Sequence, residues 1–251
     1  MLAARFGSKV FLLNSQNLPP YWENLPEAEK TKWALANNGF EYACKVLEKT
    51  KNTYPTINIE PITTAKPLNV AVADCVSRHG IDLIVMGSHG ASGKSEFFIG
   101  SNAQKVIRTV HCPTLIVKKP LASIEFQNVV FASAFQESDM EAFKVFKNMV
   151  KHFIPQIHLV YINKSIFDKP STLQIEAMKP FSQECEPLKC QLHIYPDLSV
   201  DSGIRSFADK IGADLIGISY HERHPLKRML IGSNVEAVIN HAELPVLTID
   251  F

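Results

Sequence analysis

The pattern of apolar and polar positions predicts strands and helices that alternate along most of the chain. Uninterrupted apolar runs are typical of strands buried on both faces, as in a parallel sheet. Strands are predicted at 9–14, 57–64, 83–86, 114–118, 128–135, 157–162, 189–195, 214–216 and 246–249. Apolar residues at helical spacing predict helices at 27–51, 67–79, 103–110, 138–153, 172–185 and 200–211. On the 27–51 helix the predicted buried stripe is Ala36, Phe40, Ala43, Val46 and Leu47.

The sequence contains an internal repeat with a constant offset of 132 residues. The offset relates Gly80 to Gly212, Asp82 to Asp214, Gly100 to Gly232, Ser101 to Ser233, Asn102 to Asn234 and Pro113 to Pro245. The helical stripe Ala103, Val106, Ile107 and Val110 recurs as Val235, Val238, Ile239 and Ala242. We therefore predict two copies of one α/β unit, copy one over residues 1–120 and copy two over residues 126–251. The expected architecture is two doubly wound domains in tandem, each with a mostly parallel sheet.

A glycine-bearing loop over residues 82–102 carries the clearest candidate chemistry. The run Leu83–Met86 ends at Gly87, Gly90 follows, and Gly100-Ser101-Asn102 stands directly before a helical stripe. Glycines let a backbone approach a ligand closely, and the free N–H groups at the start of a helix attract phosphate. The order strand, glycine loop, helix start therefore predicts a phosphate site. The alternative is a loop that needs its glycines only for tight turns.

The spacing G-x2-G-x9-G-S, with IVMGSHG before it and GSN at its end, resembles the nucleotide loop of the universal stress protein family. The resemblance covers nearly the whole chain. It implies five-stranded sheets of order 3-2-1-4-5, with the two fifth strands side by side as in the family's dimers. It also implies that ATP or AMP binds at Gly87, Ser88, His89, Gly90, Gly100, Ser101 and Asn102. The expected role is regulatory and non-catalytic, with intramolecular pairing of the copies or a homodimer.

Two departures from the family pattern change the expectation for each copy. Copy one begins with the family's second strand, so the opening strand and its adenine-side Asp have no counterpart, and we expect that the sequence is truncated. The strand at 9–14 is then expected either to pair directly with the strand at 82–87 or to leave its ladder partly unpaired. In copy two the loop glycines become Ser219 and Glu222, and the Asp position is Ala134. Gly232-Ser233 is retained in copy two, but Ser233-x-x-Glu236 is also the sequence of a capping box. A capping box accounts for Ser233 without a bound nucleotide. Copy two is therefore predicted to be a scaffold without nucleotide.

Composition narrows the choice of partners. The net charge of +1, from 26 basic and 25 acidic residues, gives no electrostatic reason for binding nucleic acid or a membrane surface. The five cysteines are scattered without a C-x-x-C motif, which favours reduced thiols in a cytoplasmic protein. No metal site is predicted. His221-Glu222-x-His224 lacks the metalloprotease spacing, because Pro225 occupies the position of the second histidine.

The sequence is compatible with three functions. The first is a cytoplasmic stress-response regulator with an adenine-nucleotide loop in copy one. The second is a nucleotide-free dimeric interaction scaffold. The third is an ATP-hydrolysing enzyme, but Gly93-Lys94-Ser95 lacks the first P-loop glycine because Ser88 stands there. No catalytic constellation can be argued from spacing alone.

Overall fold

Alternating helices and strands make up the computed structural model, which describes residues 2–16, 21–36, 38–88, 100–121, 124–164, 171–220 and 234–250. The helices are α1 (Leu2–Phe6), α2 (Glu27–Ala36), α3 (Asn38–Thr53), α4 (Leu68–His79), α5 (Ser101–Thr109), α6 (Asp139–Val150), α7 (Thr172–Glu184), α8 (Val200–Ile211) and α9 (234–241). The strands are β1 (Val10–Ser15), β2 (Ile59–Thr64), β3 (Ile84–Gly87), β4 (Thr114–Val117), β5 (Asn128–Ala132), β6 (Gln156–Asn163), β7 (Lys189–Pro196), β8 (Leu215–Tyr220) and β9 (Val246–Asp250). The predicted alternation is confirmed, and most boundaries lie within two residues of the prediction.

Residues 1–80 form one compact unit and residues 81–251 form another. The first unit contains the parallel pair β1 and β2, with α3 against β2 and α4 against β1. Gly80 ends α4 in the left-handed region, with φ of +60°. An L side chain is disfavoured there, so glycine is the expected stop.

The helix predicted at 27–51 is seen as α2 and α3, on either side of residue 37, which lies outside the described residues, and α3 continues to Thr53. Two members of its predicted stripe, Ala43 and Leu47, are buried, whereas Val46 is exposed. Periodicity identifies the buried side of α3 but does not show how far the neighbouring strands extend over it. The boundary predicted between the copies at residues 120–126 stays a prediction.

The second unit is built on a seven-stranded sheet of order β3-β4-β9-β8-β5-β6-β7. All neighbouring strands are parallel except β4 and β9, which are antiparallel. Copy two supplies β5 to β9, and their order confirms the expected 3-2-1-4-5 arrangement. The expected contact between the two fifth strands, β4 and β9, is confirmed as well.

Copy one contributes four strands within the described residues, divided between two sheets. β1 pairs with β2, and β3 pairs with β4. Of the two outcomes expected for the first strand, direct pairing with β3 is therefore wrong. Val85 in β3 is 57% exposed, an unusual value for a strand of a parallel sheet. Its counterpart Gly217 in β8 lies under the ring of Phe146 from α6.

The repeat of strand, helix and strand is visible among the described residues. Helices α5 and α9 end at residues related by 132, and β4 and β9 begin at residues related by 132. Both predicted stripes are buried, from Ala103 to Val110 and from Val235 to Ala242. Ala103 and Ile107 of the first stripe and all four residues of the second pack with α8 in one continuous apolar core.

Cys185 and Cys190 are joined by a disulfide, with their Cα atoms 6.1 Å apart. The expectation of reduced thiols is wrong for these two cysteines, because the end of α7 and the start of β7 lie close enough for the side chains to meet. Cys44, Cys75 and Cys112 are free. Burial raises the pKa of the Cys112 thiol to about 11, so this thiol is protonated at neutral pH. Among the described segments, no helix has the length and apolar character needed to cross a membrane.

Candidate functional site

The candidate site lies at the carboxyl ends of β3 and β4, where the strands of a doubly wound sheet usually meet a ligand. The backbone N–H of Ser88 donates to the carbonyl of Val117 at 3.1 Å, which extends the parallel ladder one residue past Gly87. The backbone N–H of Gly100 donates to the carbonyl of Ser88 at 2.6 Å. These two bonds bring the start of α5 to the end of β3. Ser88 is buried, whereas Gly87 is exposed.

The first turn of α5 provides the free donors of this site. Gly100 is the N-cap, in an extended conformation and without a side chain that could cap the helix. The first intrahelical bond runs from Gln104 N to Gly100 O at 3.1 Å. The N–H groups of Ser101, Asn102 and Ala103 therefore have no intrahelical acceptor, and the positive end of the helix dipole lies there. The first turn contains no acidic residue, and Ser101 and Asn102 are exposed.

The structure brings together five of the seven site residues predicted from the sequence: Gly87, Ser88, Gly100, Ser101 and Asn102. His89 and Gly90 lie outside the described residues. One predicted role changes, because the Gly100 N–H that we expected to face a ligand is already donated to Ser88. Lys118, directly after β4, donates from Nζ to the carbonyl of Asn240 at 2.6 Å. Burial lowers the pKa of Lys118.

Copy two is built differently at the equivalent edge. Its crevice lies between β5 and β8, the point from which the strand order runs in opposite directions. The carboxylate of Asp139, the first residue of α6, lies there and is 2% exposed. One oxygen accepts from Ser133 Oγ at 2.7 Å and from Gln136 N at 2.9 Å, and the other accepts from Ser219 Oγ at 3.0 Å. An internal anion thus occupies this crevice.

The turn before α6 packs closely around that carboxylate. Phe135 has φ of +55° and donates its backbone N–H to Ser133 Oγ at 2.8 Å. Its ring, which is buried, meets that of Phe181 edge to face at 5.0 Å. The expected Asp position, Ala134, is exposed. Glu222, predicted to repel phosphate, lies outside the described residues, as do His221, His224 and Ser233.

Sequence reasoning missed Asp139. The available signal was an acidic residue one position after Ser138, at the start of a strongly periodic helix, but a carboxylate there is also an ordinary helix-start residue. Only Ser219, 80 residues further along the chain, shows that the side chain points into the crevice. Among the described residues, no group of three or more histidine, cysteine or acidic side chains is arranged to hold a metal ion.

Comparison with known proteins assigns the family. The model of the universal stress protein family matches residues 1–118 and 197–250. These segments make up more than half of the chain, so the chain belongs to the universal stress protein family, as the sequence resemblance implied.

Individual relatives are distant. A universal stress protein of Methanocaldococcus jannaschii is 29% identical over 127 residues, which cover 47% of this chain and 70% of that protein. One from Synechocystis is 22% identical over 229 residues, covering 90% of this chain and 77% of that protein. The crystal structure of a universal stress protein from Archaeoglobus fulgidus aligns with a TM-score of 0.69 at 21% identity, covering 98% of this chain and 88% of that one. At this identity the structural match shows the fold alone.

Proposed function

We propose that this chain is a regulatory stress-response protein that binds an adenine nucleotide, ATP or AMP, at the loop of copy one and does not turn it over. The observation that carries the proposal is the first turn of α5, where the exposed Ser101 and Asn102 have backbone N–H groups without an intrahelical acceptor, beside the carboxyl end of β3. Donors in this arrangement favour a phosphate group. A cytoplasmic location is part of the proposal.

The contacts of Ser88 and Gly100 give this turn its fixed position. Because the Gly100 N–H closes the turn onto Ser88, Ser101 and Asn102 are the residues that donate to phosphate. Glycine at the N-cap leaves no side chain between the ligand and the helix start. On sequence grounds, His89 and Gly90 complete the loop around the same phosphates.

Copy two is the scaffold in this proposal. Asp139 already uses the donors of its crevice, and a buried carboxylate repels a phosphate group. The seven-stranded sheet joins β3 and β4 to copy two, so copy two supports the strands that end at the site.

Isothermal titration of the full chain with ATP and AMP tests the proposal, with Asn102→Glu as the site variant. A glutamate in the first turn favours the helix dipole, so the helix should stay folded while phosphate is repelled. Asn234→Glu is the control, because it makes the equivalent change in α9. We expect binding by the parent and by Asn234→Glu, and at least a tenfold loss in Asn102→Glu.

Two other results would point to the competing functions. If neither nucleotide binds the parent chain, the nucleotide-free scaffold is correct. If phosphate is released from ATP over hours, and Asn102→Glu stops the release, the protein is an enzyme.

A further inference from the structure

The pairing of β4 with β9, together with the packing of α5 beside α9, forms a seam between the two copies. The seam has an internal two-fold axis, which the register reveals. Leu115 lies opposite Leu247, its own counterpart at the offset of 132. On either side, Thr114 faces Thr248 and Ile116 faces Val246, and the offset exchanges these two pairs. On the helices, Gln104 contacts its own counterpart Glu236 at 3.5 Å.

The pairs of basic and acidic side chains across this seam do not follow its two-fold symmetry. The Arg108 guanidinium lies 2.5 Å from the Glu236 carboxylate, and His111 Nδ1 lies 2.8 Å from Asp250. Lys119 pairs with Glu243. Every basic member belongs to copy one and every acidic member belongs to copy two. Two of the acids are well covered, since the side chains of Glu236 and Asp250 are 15% and 11% exposed.

The offset of 132 residues shows which side chains would meet if a seam formed between two identical copies. In copy two, the counterparts of Gln104, Arg108, His111 and Lys118 are Glu236, Asn240, Glu243 and Asp250. A seam between two copies of copy two would therefore place Glu236 against Glu236 and Glu243 against Asp250. Partly covered carboxylates that face each other repel, and each loses its basic partner. A seam made from copy one twice would gather the basic groups in the same way.

We infer that the seam is a polarised interface that accepts a copy-one edge on one side and a copy-two edge on the other, and disfavours pairing of either copy with itself. The apolar contacts of Leu115, Ile116, Val246 and Leu247 supply attraction but are nearly symmetric, so they do not choose between partners. The charges make that choice. The partner that fits each half is the other half of the chain, and a homodimer has to use another surface.

A charge transplant within the full chain tests this inference. The acidic variant carries Gln104→Glu, Arg108→Asn, His111→Glu and Lys118→Asp, which reproduces a copy-two seam on both sides. The exchanged variant adds Glu236→Gln, Asn240→Arg, Glu243→His and Asp250→Lys, which restores complementarity with the polarity reversed. The control variant carries Lys32→Glu, Lys49→Glu and Lys51→Gln, which change the net charge by the same amount at exposed positions of the first unit.

Thermal midpoints are measured at low salt and in 1 M NaCl. At low salt we expect the acidic variant to have a clearly lower thermal midpoint than the parent chain. The exchanged variant should regain most of that difference, and the control should have nearly the midpoint of the parent. In 1 M salt the gap between the acidic and exchanged variants should shrink, because salt screens exposed charges. An acidic variant that melts with the control, or an exchanged variant that melts as low as the acidic one, would overturn the inference. If the acidic variant does not fold at low salt, its yield on refolding in 1 M salt is the readout. A higher refolding yield of the acidic variant in 1 M salt than at low salt supports the polarised interface. Equal yields under the two conditions refute it.

Discussion

Removing the Asp139 carboxylate is the most informative single perturbation of copy two. In Asp139→Ala, three donors lose a shared acceptor: the hydroxyls of Ser133 and Ser219 and the backbone N–H of Gln136. A hydrogen bond to a charged group contributes about 1.5–3 kcal/mol. The hydroxyls can rotate to other acceptors and the exposed Gln136 can reach water, so we discount the sum to about 2–4 kcal/mol.

That loss of unfolding free energy corresponds to a lower melting midpoint by roughly 5–15 °C for a unit of this size. The three donors still surround the vacated position, and the two hydroxyls can rotate back to a new acceptor there, so a small carboxylate should replace the missing side chain. We therefore expect sodium formate to raise the midpoint of Asp139→Ala above its value in sodium chloride of equal ionic strength. The parent chain, whose crevice is filled, should show no difference between the two salts.

Asp139→Asn is the control because it keeps the volume of the side chain and removes the charge. It should be destabilised and should not respond to formate, since no space is created. The reasoning is refuted if Asp139→Ala loses less than ~0.5 kcal/mol, the range of ordinary surface substitutions. It is also refuted if formate and chloride give the same midpoint for Asp139→Ala.

Two further predictions concern the core and the pH response of copy two. Gly217→Ala should cost about 1–3 kcal/mol by overpacking, because a Cβ there would lie 2.4 Å from the buried Phe146 ring. Val85→Ala at the equivalent exposed position should change stability little, and equal urea midpoints for both variants would contradict this. His158 Nδ1 and His193 Nε2 lie 3.0 Å apart, and burial lowers both pKa values, with His158 and Lys210 lowering that of His193 further. The unfolded chain then binds protons first on acidification, so stability should fall as the pH drops from about 7 to 5, and less steeply in His193→Gln. Parallel pH profiles for the parent and His193→Gln would exclude this role of the pair.

The sequence determined the local elements and their repetition. Apolar runs and stripes located the strands and helices of copy two and the repeated strand, loop and helix, because spacing along the chain fixes which side chains share a face. Gly80 and Gly212 directly follow the predicted helices at 67–79 and 200–211, and both have the left-handed φ that glycine tolerates. The glycine loop and its GSN ending identified five residues that meet at one edge of the sheet.

Only the tertiary structure determined which partners the polar groups of those elements contact. It showed that Gly100 donates to Ser88, that Asp139 reaches Ser219, and that Arg108 faces Glu236 across the seam. Each of these contacts joins residues between 12 and 128 positions apart. Periodicity along the chain reports which face a side chain occupies, but not which distant partner lies on that face. Partner choice depends on strand order and register, and these are set by the packing of the whole sheet.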